Sequence, residues 1–370
     1  MEIKVILKAT VTGIQSLIIC FCGGYLFTKI NAPLPWMLGS LFAMAAVKMA
    51  TTSFNSPRGG RQTGQLIIGC VLGQYFTPEV VREIHTYIWI APVAAIGAFL
   101  IGSFGTLVLS RVTGIDKTTA FFSCIPGGAS EMVVLGERFG AQTDRIALAH
   151  SLRVFLVALL VPSILSFSGA SGSDPYHPSQ INFQLWGLLL LLFLAGGAGL
   201  VFKRFSAPNA WMMGPLFVST ALTITGHSLS AIPQFLIISG QVFIGCALGS
   251  SFGPEFLNKA PKFILGVIAS TSLAIALSIL LGICLAFMGG VNKASMILAT
   301  APGGISEMCL TAKMLHLGVP LITSVHVTRL VIIVTLSGPL LKCCRFAVSW
   351  LRSNFGEKLA NARDNNETEL

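Results

Sequence analysis

The amino-acid sequence predicts an all-α polytopic membrane protein: two tandem homologous bundles in inverted orientation, with about ten crossings and two broken or re-entrant segments. Three observations lead there. Of 370 residues, 54% are apolar and only 10% charged, against roughly 25% charged in a soluble domain. The runs from Phe263 to Asn292 and from Pro178 to Phe202 hold no charged residue, and each exceeds the about 20 apolar residues that cross some 30 Å of hydrocarbon. A soluble repeat protein would show polar faces at helical period, whereas here both faces are apolar. The third observation is that the chain is written twice.

GQLIIGCVLGQYFTPE at Gly64 to Glu79 returns as GQVFIGCALGSSFGPE at Gly240 to Glu255, an offset of 176 (240 − 64). At the same offset IPGGASEM (Ile125 to Met132) meets APGGISEM (Ala301 to Met308), Lys117 meets Lys293, and His150 and Arg153 meet His326 and Arg329. Upstream, APLPWMLGSLF (Ala32 to Phe42) meets APNAWMMGPLF (Ala207 to Phe217) at an offset of 175 (207 − 32). Self-similarity over that length marks an internal repeat.

Each copy holds six apolar segments. They fall near residues 9–28, 33–51, 64–77, 87–110, 118–136 and 146–166, then near 184–202, 208–226, 235–251, 263–288, 294–312 and 320–340. The expected organisation is therefore a first membrane repeat at 1–170, a linker at 171–183, a second repeat at 184–341 and a polar cytoplasmic tail at 342–370. The linker is rich in Ser, Gly and Pro and lacks Lys and Arg. Trp36 and Trp211, at segment starts, are expected as interfacial anchors.

The net charge of +10 comes from basic residues set singly between apolar segments rather than in patches, so a nucleic-acid partner is excluded and the bilayer is expected instead. The nine cysteines sit mostly in apolar segments, where Cys behaves as a small hydrophobe. Cys20 and Cys22, or Cys343 and Cys344, have no matching ligand pairs, so neither metal nor cofactor is expected. The N-terminus, with Lys4 and Lys8 before an apolar run, reads as a signal-anchor without a cleavage site.

Loop charge sets the topology. Basic residues at both ends place both termini in the cytoplasm and the linker outside. Each copy must then cross an odd number of times, so one segment per copy turns back or is broken. Taking the PGG segments as re-entrant divides the loop Lys and Arg before Lys342 as 13 inside and 4 outside; taking the GQ segments gives 11 and 6. ProGlyGly in mid-segment also breaks a helix, through a missing donor and backbone freedom. An odd number of crossings inverts the second copy relative to the first, a transporter architecture, and directs the two broken tips toward each other near the midplane.

The repeated polar residues are the candidate substrate or ion site. After Gly127-Gly128 and Gly303-Gly304 come Ser130-Glu131 and Ser306-Glu307. The hydroxyl suits a helix cap and the acid a first turn. A carboxylate at membrane depth is also a functional candidate, with Glu131 and Glu307 as proton or sodium sites and exposed amides as anion donors. His150 with Arg153, and His326 with Arg329, share a helix face. The arginines either take part in binding, or snorkel, or pair with the glutamate of their own copy. Glycines of GQxxIGCxLG favour close helix packing, and Gln65 and Gln241 are amide ligand candidates. The same glycine-rich faces would also suit a homo-oligomer.

With APxxWMxG, GQxxIGCxLG and PGGxSEM in both copies, the chain resembles the AbrB-type bacterial membrane protein family from Thr10 to about Leu340. The resemblance implies a multi-pass bacterial inner-membrane protein, with members labelled ammonia monooxygenase or regulator of the AidB response. That family shares its name with a small, basic DNA-binding regulator that this chain does not resemble. Three functions follow. A secondary transporter of a small anionic or zwitterionic solute, coupled to H+ or Na+, fits the repeats and intramembrane charges. A membrane-bound regulator of gene expression fits the family label. A monooxygenase fits least, since six scattered histidines offer no clustered ligand set.

Overall fold

The structure is a computed structural model that describes residues 2–51, 53–172, 181–253 and 261–339, and the described residues are helical with no strand. In order they form α1 (Glu2–Lys29), α2 (Pro35–Ala50), α3 (Gly60–Gly73), α4 (Pro78–Thr86), α5 (Ile90–Thr113), α6 (Lys117–Cys124), α7 (Ala129–Arg138) and α8 (Thr143–Phe167). The second copy follows with α9 (Leu185–Arg204), α10 (Ala210–Ile224), α11 (Gln234–Gly249), α12 (Pro261–Gly289), α13 (Lys293–Thr300), α14 (Ile305–Met314) and α15 (Val319–Pro339). The central part of the expected linker, the 342–370 tail and the Cys343-Cys344 pair lie outside the described residues.

Among the described residues, six helices are long and apolar enough to span a membrane: α1 from Thr10, α5, α8, α9, α12 and α15. Helices α2, α3, α10 and α11 hold 14 to 16 residues and rise only about 21–24 Å. Between α3 and α5 the sequence reading had no helix. Pro78 supplies a preset first turn there, and Glu79 sits at the N-terminal end of the short α4. Its carboxyl is held below the usual carboxylate range by the backbone of its own turn and the Thr77 hydroxyl.

The two sequence copies interlock. Helix α3 packs on α10, α11 and α9, while its counterpart α11 packs on α2, α3 and α1. Glycines make these approaches close: a Cβ on Gly69 would stand 2.7 Å from Met212 O, and one on the counterpart Gly245 would strike Met37 O. Gly64 and Gly240, equivalent positions, face each other where α3 crosses α11. Trp36 lies over Gly24 and Trp211 over Gly199. Both rings therefore serve helix packing, which the anchor expectation overlooked because it considered the indole apart from its glycine partner.

Two further contacts fix directions. Gly266, near the start of α12, lies against Thr113 at the end of α5, and Gly289 at the end of α12 lies 3.0 Å, measured from a built Cβ, from Ile90 at the start of α5. Counterpart helices α5 and α12 thus run antiparallel. Within each copy the broken segment doubles back. Gln142 N–H, just beyond α7, donates to Thr119 Oγ1 in the first turn of α6 at 2.9 Å, and Gly318 N–H donates to Ser295 Oγ at 3.4 Å in the second copy.

Candidate functional site

The PGG motif builds the two hairpin tips. Helix α6 stops at Cys124 because Pro126 cannot continue it, and α7 restarts at Ala129 with Gly128 as N-cap. Gly128 and Gly304 have φ of −65° and −77°, conformations open to any residue, so backbone freedom is not what these glycines supply. They supply space. A Cβ on Gly128 would strike the Glu131 carboxylate, and one on Gly304 the Glu307 carboxylate. A Cβ on Gly127 would stand 2.6 Å from Met132 Cε, and one on Gly303 2.9 Å from Val157 Cγ1 of α8. Each glutamate folds back over the positive end of its own helix, as the dipole favours. The expected hydroxyl cap is absent: Gly128 and Gly304 make no side-chain cap, and Ser130 and Ser306 sit one position inside the helix.

His150, Arg153, His326 and Arg329 are all buried, and they hold the opposite end of each tip. The last carbonyls of a helix have no partner within it. His150 Nε2–H donates to Phe122 O at 2.8 Å, and Arg153 Nη1 donates to Cys124 O and Ile125 O at 3.2 and 3.1 Å. In the second copy His326 donates to Leu298 O at 2.9 Å, and Arg329 to Ala301 O, Gly303 O and Thr300 O at 2.6, 3.0 and 3.4 Å. Since a carbonyl can only accept, each Nε2 carries the proton. Each Nδ1 then accepts from arginine Nη2, at 2.8 and 2.9 Å. This clamp puts positive charge on the negative end of a broken helix. The sequence alternatives of a snorkelling arginine, or one paired with its own glutamate, are replaced by it: side chains on α8 and α15 face the C-terminal ends of α6 and α13, while the glutamates lie at the N-terminal ends of α7 and α14.

The carboxylates have different surroundings. Glu131 is half-buried, and its Oε1 accepts from Asn209 N–H at 3.1 Å. Asn209, with φ of 50°, precedes α10, and its Oδ1 accepts from Gln65 Nε2 at 2.8 Å. Gln65 is thereby joined to Glu131 through Asn209. Glu307 is 4% exposed, and its Oε2 has no hydrogen-bond partner. Arg61, one turn before Gln65 on α3, is an opposite charge that acts on it. At the counterpart of Asn209 stands Leu34, whose N–H points to Met314 Sδ at 3.3 Å. Gln241, the counterpart of Gln65, is half-buried on α11. The structure therefore brings Gln65 and Glu131 together, sets Glu307 on a helix that also touches α3, and places the His–Arg pairs behind the tips. Sequence reasoning missed Asn209 and Arg61. The signal for Asn209 was the mismatch with Leu34 inside an otherwise shared motif. Among the described residues, no three His, Cys, Asp or Glu side chains cluster as metal ligands.

The family model described as "Transition state regulatory protein AbrB" matches residues 6–345, nearly the whole chain. The chain belongs to the AbrB family. A relative from Bacillus subtilis (strain 168), "Uncharacterized protein YhjN", is 27% identical over 344 residues, covering 86% of this chain and 89% of that protein. "Putative regulator AbrB" of Escherichia coli (strain K12) is 25% identical over 330 residues, covering 85% and 90%. The AbrB match spans both copies, with their doubled hairpins and clamps.

Proposed function

We propose that this AbrB-family protein is a secondary transporter of a small anionic or zwitterionic solute, coupled to H+ or Na+, in the bacterial inner membrane. The observation that carries the reading is the antiparallel contact of α5 with its counterpart α12, beside two hairpins that break within the apolar body. Equivalent helices meet antiparallel when the repeats are related by an axis in the membrane plane, the transporter arrangement. Six long helices and the four shorter α2, α3, α10 and α11 make ten crossings, with α6–α7 and α13–α14 re-entrant. Irregular backbone at that depth is tolerated where protein or a water-lined cavity surrounds it; the second tip is enclosed by protein, with Ser306 and Glu307 6% and 4% exposed, and in this reading the open first tip faces the solute path.

In this reading the solute meets the first tip, where Ser130 is exposed and Glu131, Asn209 and Gln65 are linked. The coupling ion exchanges at Glu131 and Glu307. Arg153 and Arg329 donate to carbonyls and a neutral imidazole, so their charges are left uncompensated and favour a negative solute group. Glu131→Gln with Glu307→Gln should abolish ion-coupled uptake of a negatively charged solute in proteoliposomes. Unaltered coupled uptake by that double variant would remove the chemical basis of the reading. Cysteine labelling at Ser173 should succeed from outside only, and both termini should label from the cytoplasm.

The name of the Escherichia coli relative favours a second reading, a membrane-bound regulator of gene expression. Removal of the chain from Trp350 onward should then blunt a transcriptional response while leaving transport intact.

A further inference from the structure

We propose that the small cavity beside Arg153 is a binding site for an inorganic monoanion of chloride size, a reading that goes beyond transport and does not depend on it. The cavity, about 20 Å³, lies among α5, α6, α8 and α12 and is lined by Gly105, Ser123, Arg153, Ser270 and Thr271 among others. A space above roughly 10–15 Å³ holds one water-sized guest. Two of its polar atoms lack any partner: Arg153 Nε and Ser123 Oγ, on side chains 5% and 3% exposed. Ser270 donates to Val267 O, so the donors open to a guest are the guanidinium edge and the hydroxyls of Ser123 and Thr271.

Charge selects the guest. Arg153 spends its Nη atoms on two carbonyls and an imidazole, all neutral, and among the described residues no carboxylate is bonded to it. A water molecule would satisfy the hydrogen bonds and leave the buried charge uncompensated, whereas an anion does both. The second copy provides an internal control. At the offset of 176, Ser123, Ser270 and Thr271 correspond to Ala299, Ala94 and Ala95, and Gly105 corresponds to Leu281. The clamp is kept, with Arg329 Nε likewise unpartnered, while these three hydroxyls and the space at Gly105 give way to apolar side chains; Thr300, at the place of Cys124, spends its hydroxyl on Ser278 O. In that copy the arginine gains a further acceptor, Gly303 O.

The test uses purified full-length protein in detergent, with chloride replacing gluconate at constant ionic strength and pH. The unfolding temperature should rise saturably with chloride and with bromide. Ser123→Ala, which copies the second half, should raise the half-saturating concentration about tenfold, the factor expected for loss of one hydrogen bond to a charged group. Gly105→Leu should abolish the response; a Cβ there makes only ordinary 3.6 Å contacts with Cys124. A bromide anomalous peak should lie beside Arg153 Nε. An unfolding temperature indifferent to chloride, an unchanged response in both variants, or water density without a bromide peak would each overturn the site. No solute flux enters these measurements, so their failure is separate from failure of the transporter reading.

Discussion

The first hairpin tip, α6–α7, is open where the second, α13–α14, is closed. Ser130 is exposed and Glu131 half-buried with a partner, whereas Ser306 and Glu307 are 6% and 4% exposed and one Glu307 oxygen is bare. The two tips nevertheless share the ProGlyGly break, the folded-back glutamate and the His–Arg clamp. What the copies share is what a broken helix needs to be stable in an apolar body: acceptors capped, carboxylate over a helix N-terminus. What differs is access and partners, set by Asn209 against Leu34 and by Ser123 against Ala299.

The largest expected effect separates the clamps. Arg329→Met strands the carbonyls of Thr300, Ala301 and Gly303 and the His326 Nδ1, and at about 1–3 kcal/mol per unsatisfied buried group it should cost at least about 3 kcal/mol. Arg153→Met strands two carbonyls and the His150 Nδ1, one acceptor fewer, and should cost less. Thermal unfolding of the two purified variants measures the difference, and an equal or larger loss at Arg153 would break the claim that the second tip is the more tightly held. Lysine should rescue neither, because a point charge cannot reproduce the planar fork.

Next come the glycines that make room for the carboxylates. Gly304→Ala should cost about 1–3 kcal/mol by overpacking, since Glu307 is enclosed and cannot move aside. Gly128→Ala should cost less, because Glu131 faces partly outward. Unfolding temperatures again decide, and a reversed order would mean that the Asn209 bond restrains Glu131 more than burial restrains Glu307. Asn209→Leu makes the first tip resemble the second. It should cost about 1 kcal/mol through the lost Gln65 bond and should slow solute uptake, with little effect on chloride-dependent stability.

Much of this was legible in the sequence. The apolar runs gave the long helices to within a few residues at most ends, because lipid leaves hydrophobic length as the dominant constraint. The duplication paired His150 with His326 and Arg153 with Arg329 before any contact was known. Their partners were hidden, since a helix C-terminus offers only backbone carbonyls, which carry no sequence signal. For the same reason the glycines of PGG pointed to flexibility when their function is space: a side chain three residues away, folding back, is visible only in three dimensions. The interlocking of α3 with α10 and of α11 with α2 was likewise unwritten, although GQxxIGCxLG announced that some helix would come close.

The smallest effect concerns the latch that closes each hairpin. Thr119 is fully buried, and its hydroxyl oxygen receives the Gln142 N–H at 2.9 Å; Ser295 receives the Gly318 N–H at 3.4 Å. Hydrogen bonds weaken as the donor–acceptor distance moves beyond about 3.2 Å, so Thr119→Val, which keeps volume and shape, should cost about 1 kcal/mol and Ser295→Ala less. Hydrogen exchange gives the finer measurement: the Gln142 amide should exchange on the order of fivefold faster in the valine variant, since about 1 kcal/mol corresponds to that factor, while the Gly318 amide should change less in the alanine variant. No acceleration at either amide would show that hairpin closure is set by the clamps behind the tips and owes nothing to the latch. The open and closed tips would then differ only in what surrounds them, with the hairpins themselves mechanically alike.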